Sequence, residues 1–335
     1  MNRTSQKSTT ANLVNIVRRY EKPSLIKSFW QLTNTLALFI IFWLLMLYSL
    51  GFPYWITLLL AIPTAGMVVR LFIIQHDCGH GSFFRSKKAC NTLGFALGVL
   101  TLYPFGYWRK THAIHHATSG DLGRRGFGAL ETLTIEEYRK RSKIGRLLYR
   151  LYRNPFVLFG IGPLYQFAIK TRLPLDLPRS WKREWKSVWQ TNVAVLLLFL
   201  LMWQAVGLDR FLLVHLPVVW LSGAVGVWLF YIQHQFEDTY WEESENWDYH
   251  RAAFEGSSYY DLPAVLHWFT GNIGIHHLHH LSSKIPNYRL LECFYNHPEL
   301  RQVTRLTLWE SLKCIRLKLW DTQQRKLVGL TQVNR

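Results

Sequence analysis

The chain has 335 residues, of which 49% are hydrophobic and only 18% charged, with a formal net charge of +18. A soluble domain carries about one quarter charged residues, so this composition, with its 15 Trp, argues against an ordinary soluble domain and for a membrane protein, since Trp and Tyr collect where the apolar core of a bilayer meets water. Long apolar runs also argue against nucleic acid as the counterpart of the positive excess, which leaves anionic lipid headgroups or an acidic protein.

Residues Met1–Lys27 are polar and basic and contain no apolar core of the kind a cleavable signal peptide needs. The first apolar run, Leu32–Leu50, is uncharged and ends at Gly51-Phe52-Pro53. The second, Trp55–Ile74, is interrupted only by Arg70. Each is about 20 residues long, the length of helix that spans a hydrocarbon core of roughly 30 Å. Asn91–Phe105 is apolar but short and rich in Gly, which fits a half-buried or interfacial segment. Tyr138–Tyr152 and Trp181–Lys186 mix apolar and basic residues, as helices lying in the interface do, or as a basic helix on a solvated cap would. A third run extends from Val188 to Val206 and breaks at Gly207-Leu208-Asp209-Arg210; a fourth covers Phe211–Ile232.

The pattern predicts an all-α integral membrane fold: four transmembrane helices, at about 32–50, 55–75, 189–207 and 211–233, arranged as two hairpins. Lys and Arg crowd the N-terminal flank, the segment between the hairpins and the C-terminal region, while the short outer turns carry almost none. Both termini and the middle segment are therefore expected on the cytoplasmic side. The expected division is a basic N-terminal segment (1–30), the main domain (31–320) and a C-terminal tail (321–335). Cys78, Cys90, Cys293 and Cys314 form no CxxC pair and are read as reduced thiols.

The histidines carry the chemistry. His76-Asp77-Cys78-Gly79-His80 follows the second run, His112-Ala113-Ile114-His115-His116 lies in the middle segment, and His276-His277-Leu278-His279-His280 lies beyond the fourth run. Residues three or four apart share a helix face, so His76 with His80, His112 with His115 and His116, and His276 with His279 and His280 can each converge on metal. His234 sits at the cytoplasmic end of the fourth run. Neutral imidazole suits iron, copper and zinc. Eight clustered histidines plus His234 exceed one four-coordinate zinc site, so two metals are expected. Soluble di-iron bundles use Glu and Glu-x-x-His; here Asp77 is the sole acidic residue inside the boxes, and the site carries more positive charge. His277 points away from the face its neighbours share and is expected outside the ligand set. The isolated His215, His250 and His297 have no spaced partner, and His267 stays open between the two readings.

The boxes HDCGH, HAIHH and HHLHH resemble the three histidine boxes of the membrane fatty acid desaturase superfamily. The flanks around His76–Phe84, Gln233–Glu242 and Gly271–Ile275, with Leu281–Tyr288, are similar to bacterial and plastid-type Δ12 (ω6) acyl-lipid desaturases. The resemblance covers about residues 30–320. It implies four transmembrane helices under a cytosolic helical cap and two non-haem irons. It assigns His76, His80, His112, His115, His116, His276, His279 and His280 as ligands, with His234 as the additional histidine supplied near the fourth span. Asp77, His277 and Asn272 are expected behind the ligands. The implied reaction uses O2 to remove two hydrogens from an unactivated acyl chain, carried as an acyl-lipid or acyl thioester. Phe72, Phe83 and Trp108, close to the boxes in sequence, are candidate linings of an apolar substrate tunnel.

No His-Pro-Gly-Gly haem motif, Rossmann glycine pattern or cluster cysteines are present. A separate electron donor is therefore expected, a ferredoxin or alternatively cytochrome b5 with its reductase, steered to the basic face unless anionic membrane lipids occupy it. Two other readings compete. The same histidine set serves membrane hydroxylases and ketolases acting on alkanes, sterols or carotenoids. A metal transporter would place its ligands near the bilayer midplane, whereas these boxes lie outside the apolar runs and His215 is the main ionisable exception within them.

Overall fold

The computed structural model describes residues 13–126 and 128–332. In chain order its main helices are α1 (Leu25–Ser49), α2 (Trp55–His80), α3 (Lys87–Leu100), α4 (Phe105–Thr118), α5 (Lys143–Tyr152), α6 (Phe156–Lys170), α7 (Lys182–Val206), α8 (Leu208–His234), α9 (His276–Leu281) and α10 (Asn287–Asn296). Among the described residues, α1, α2, α7 and α8 are the four helices long and apolar enough to cross a membrane singly. The mostly helical architecture of two hairpins agrees with the expected fold class. It adds two small sheets, one of Leu133–Thr134, Leu319–Asp321 and Lys326–Val328, the other of Tyr259–Asp261 paired in parallel with Arg305–Thr307.

The four spanning helices contain 25 to 27 residues, which at 1.5 Å per residue is roughly 37–40 Å, longer than a hydrocarbon core of about 30 Å. The excess is polar and lies at one end: α2 continues six residues past its apolar run to His80, and α8 runs to His234. That excess length carries histidines of both hairpins out of the apolar layer on the same side. α2 is the central helix, with 50% of its apolar window buried against 11% to 22% for the other three. Those three expose Ile40, Leu44, Leu196, Leu200, Leu213 and Leu216, a belt that water would not tolerate and lipid does. Arg70, two to three turns before the His80 end of α2, is buried; its Nε donates to Thr35 Oγ1 at 3.1 Å and its guanidinium lies 4.2 Å from the centre of the Trp268 ring. A buried cation in such a layer persists only with partners of this kind.

Several boundaries differ from the expected ones. α1 starts at Leu25 rather than near 32, because Ser24 caps it and the Ser24 N–H donates to Tyr288 Oη at 2.9 Å. Trp181–Lys186 is not a separate interfacial helix; Lys182 opens α7. The 91–105 segment is, as read, no simple span: α3 and α4 meet at 104°. Its glycines allow the fold-back, since a Cβ at Gly94 would lie 2.4 Å from the Phe105 ring and one at Gly98 2.7 Å from the Tyr103 carbonyl. The 138–152 region divides into Ile135–Lys140 and α5, and α5 exposes Ile144, Leu147, Leu148 and Leu151 along one face. α6, which the sequence reading passed over, likewise exposes Phe156, Ile161, Leu164 and Ile169.

Both ends of the chain are more integrated than a basic segment and a tail. Residues 1–12 of the expected N-terminal segment and 333–335 of the tail lie outside the described residues. Beyond residue 12, Ile16, Val17 and Tyr20 are buried against Ile275, Leu278, Leu281 and Ile285 of the third box region. Each aliphatic side chain so buried contributes about 1.5–3 kcal/mol, which straps the N-terminus under α9. At the other end, Leu319–Asp321 and Lys326–Val328 pair as a hairpin, Trp320 packs with Trp241 and Leu122, and the Leu327 N–H donates to the Glu237 carbonyl at 2.8 Å.

Candidate metal centre

The last turn of α2 places His76 and His80 on one face with ring centroids 4.7 Å apart. Gly81, at φ +65°, ends the helix there in the left-handed conformation that a Cβ disfavours. Gly79, between the two histidines, lets the Trp108 ring of α4 pack against the turn, since a Cβ would lie 2.4 Å from that ring. Trp108 in turn stacks on His112 at 4.5 Å. α4 then presents His115 and His116 one turn further on, α9 supplies His276, His279 and His280, and α8 ends on His234.

These residues gather into two groups. His76, His80, His112, His116 and His279 form one; His115, His234, His276 and His280 form the other; within each, one ring nitrogen per residue lies within 4.8 Å of all the rest. The nine are the nine residues singled out from sequence. Nε2 of His279 is 3.0 Å from Nε2 of His76 and 2.9 Å from that of His116, and Nε2 of His116 is 3.1 Å from that of His112. In the second group Nε2 of His234 is 3.1 Å from those of both His115 and His276. Two nitrogens bound to one metal at about 2.1 Å, at the angles of tetrahedral or octahedral coordination, lie about 3.0–3.4 Å apart. The spacing therefore suits a shared ion in each group.

Hydrogen bonds orient two of the rings. His234 Nδ1 donates to the Gly256 carbonyl at 2.8 Å, which leaves the Nε2 lone pair facing its group. His76 Nδ1 lies 3.1 Å from Asp77 Oδ1 with the same result. A ring fixed through its far nitrogen is the usual support of a metal-binding imidazole. The buried Nε2 atoms of His80 and His280 have no hydrogen-bond partner in the protein, a costly state for a polar atom that a metal ion would relieve. Burial and the neighbouring imidazoles hold His276, His279 and His280 well below the ordinary histidine range, so these rings are neutral, as ligation requires. The donor set fits two borderline metal ions such as iron.

Of the other residues picked from sequence, Asp77 lies directly behind His76. Asn272, at φ +59°, forms the turn before α9, and its Nδ2 donates to the Asn287 carbonyl at 3.2 Å rather than to a histidine ring. His277 faces away and donates from Nε2 to the Leu300 carbonyl at 3.0 Å. Trp108 and Phe72 pack on each other at 5.6 Å, with His76 5.4 Å from Trp108. Phe83 instead closes an apolar core with Phe84 and Cys78, and its ring neighbours are Phe84 and Tyr288. His215, His250, His267 and His297 belong to neither group; His267 accepts from the Leu262 N–H at 3.3 Å, and Tyr20 Oη lies 3.1 Å from Nε2 of His297. Sequence reasoning missed Gly256 and Asn287, which carry no spacing signal of their own. A small cleft of about 20 Å³, lined by Phe230, Leu130, Gln235 and Arg125, reaches His115 and His234.

Comparison with known proteins agrees with this geometry. A family model described as fatty acid desaturase matches residues 53–311. A Bacillus subtilis protein named fatty acid desaturase is 44% identical over 317 residues, covering 95% of this chain and 90% of that protein. The sn-1 oleoyl-lipid 12-desaturase of Synechocystis is 24% identical over 68% of this chain and 64% of its own length. The sn-1 acyl-lipid omega-3 desaturase (ferredoxin) of the same organism is 28% identical, over 66% and 61%.

Proposed function

The chain belongs to the fatty acid desaturase family, and on that premise we propose that it forms a cis double bond at the Δ12 (ω6) position of a monounsaturated, lipid-linked acyl chain. The observation that carries the reading is the pair of buried imidazole groups at the inner end of a lipid-facing bundle. Its nine histidines serve as ligands to two irons. The reaction balances as one O2, two electrons and two protons consumed, two hydrogens taken from adjacent acyl carbons, and two waters released. Bound at these groups, the irons would supply the O2 activation that the reaction needs.

The chain's own residues hold and exclude. Burial keeps His276, His279 and His280 neutral, Asp77 and the Gly256 carbonyl hold two of the rings, and Trp108 with Phe72 keeps one side of the centre dry. An acyl chain fixed beside such a centre exposes one pair of carbons, and positioning of this kind supplies much of a barrier reduction. The basic inner face, on the cytoplasmic side with both termini, receives the electron donor, with ferredoxin favoured because a related desaturase carries that donor in its name.

Expression with a ferredoxin and its reductase in a bacterium that makes monoenes but no dienes tests the proposal. Fatty acids released from separated lipid classes are read by gas chromatography with mass spectrometry. A Δ12 diene in intact lipids supports the whole reading. A bond located elsewhere corrects the position, a diene first seen in thioesters corrects the carrier, and a hydroxylated product moves the chain to the hydroxylases.

A further inference from the structure

Asp77 is 2% exposed and has no Lys or Arg partner among the described ion pairs. A carboxylate so desolvated needs its oxygens satisfied. Oδ1 faces His76 Nδ1. Oδ2 accepts two hydrogen bonds from one residue, Asn287: the backbone N–H at 2.7 Å and the side-chain Nδ2 at 2.8 Å. Asn287 is the first residue of α10, so the carboxylate also lies at the positive end of that helix. The Asn287 amide is held in turn by Gln31 of α1, whose Nε2 donates to Asn287 Oδ1 at 2.8 Å while its Oε1 accepts from Asn287 Nδ2 at 3.3 Å. Gln31 and Asn287 are 3% and 1% exposed. Because Asp77 Oδ2 accepts from the Asn287 amide nitrogen and Gln31 donates to the Asn287 amide oxygen, the Asn287 side chain is held in one orientation, and Asp77 can turn only by giving up both of its bonds to Asn287.

Among the described residues no carboxylate is hydrogen-bonded to a ring of the second group, where His234 is held by the neutral Gly256 carbonyl. The two groups are thus supported unequally, one through a buried carboxylate and the other through a peptide.

We propose that Gln31, Asn287 and Asp77 form a relay that orients His76 and thereby sets the metal affinity of the five-histidine group alone, with Asn287 as its positioning residue. This rests on the reading of the two groups as iron sites. The relay ties α1, α2 and α10 together at the point where the first and third boxes meet, so the first box takes its final geometry only when the segment after the third box has docked.

The test is iron retention by purified, iron-loaded full-length protein in detergent, titrated with a chelator and followed as iron per chain, with melting temperature recorded alongside. Wild type is expected to hold two irons. In Asn287→Leu one iron is expected to leave at about 10- to 100-fold lower chelator concentration, the usual effect of losing a residue behind a ligand, while the other is held as in wild type. Asp77→Asn, which changes charge without volume, carries the same expectation and decides the matter if Asn287→Leu does not accumulate. Tyr288→Phe is the control: it removes bonds from α10 to Ser24 and Ser28 at the start of α1 without touching Asp77, and both irons should stay. Two irons held at wild-type affinity in both variants, both irons lost together, or one iron lost equally from Tyr288→Phe would overturn the relay. A wild-type protein that takes up no iron would instead remove the reading beneath it.

Discussion

His234 and His276 lie 42 positions apart in sequence, yet their Nε2 atoms are 3.1 Å apart. One is the last residue of a spanning helix and the other opens a short helix of the cap. His234 therefore stands on the same footing as the box histidines. His234→Ala is expected to lose desaturation by at least about 100-fold, more than loss of a residue behind a ligand produces, and to lose iron from the four-histidine group. Product yield and iron per chain check this. Wild-type iron with normal product would remove His234 from the ligand set.

Gly79→Ala places a methyl carbon where the Trp108 ring now packs, 2.4 Å from its nearest atom. Overpacking of a closed site costs about 1–3 kcal/mol, so the melting temperature should fall, and iron with it, because Trp108 stacks on His112. Adding Trp108→Phe to Gly79→Ala removes part of the clash and should recover stability. A single variant as stable as wild type would show that the ring moves freely.

The metal-free protein should lose stability as the medium turns acid. Burial holds His277 down to about 3 and, with the neighbouring imidazoles, keeps His276, His279 and His280 well below their ordinary value. In the unfolded chain each takes a proton near about pH 6.5. Below that value the unfolded state binds more protons than the folded one, so stability is full above about pH 6.5 and falls as pH drops, by up to about 1.4 kcal/mol per pH unit for each such ring. Melting temperature against pH checks the sign; a curve flat from pH 7 to 5 would contradict it.

α5 carries Ile144, Leu147, Leu148 and Leu151 on one exposed face, the i, i+3, i+4, i+7 stripe of a helix, with Lys143, Arg146 and Arg150 in the same ten residues. An apolar stripe beside basic residues is the pattern of helices that lie in a bilayer interface, and that placement is expected of α5. A fluorophore attached at position 148 in liposomes should be quenched by brominated lipid and shielded from an aqueous quencher. The opposite pattern would place α5 in water.

The histidine constellation was legible because helical spacing is local: three or four residues of separation decide which rings share a face. The four spans were legible because apolar length is local too. The supports were not. Gly256 contributes a carbonyl, which every residue owns. Asn287 is recruited by a carboxylate 210 positions away, and neither has a pattern to read. The N-terminal strap and the Lys326–Val328 strand have no local signal for a related reason. Ile16, Val17 and Tyr20 sit among basic residues, and only the apolar surface of the third box region, assembled far along the chain, gives them somewhere to be buried. Phe83 adjoins the first box in sequence and packs in the apolar core with Phe84 and Cys78, where nearness in space rather than along the chain decides what it lines.

The most direct test of the central claim is the fatty acid profile of the monoene-producing host carrying donor and reductase with either the wild-type chain or His276→Ala. The account predicts a new diene with wild type, none with the variant, and two irons per chain in the purified wild-type protein. A diene of equal yield from both chains, or no new unsaturation from an iron-loaded and reducible wild-type protein, would contradict it.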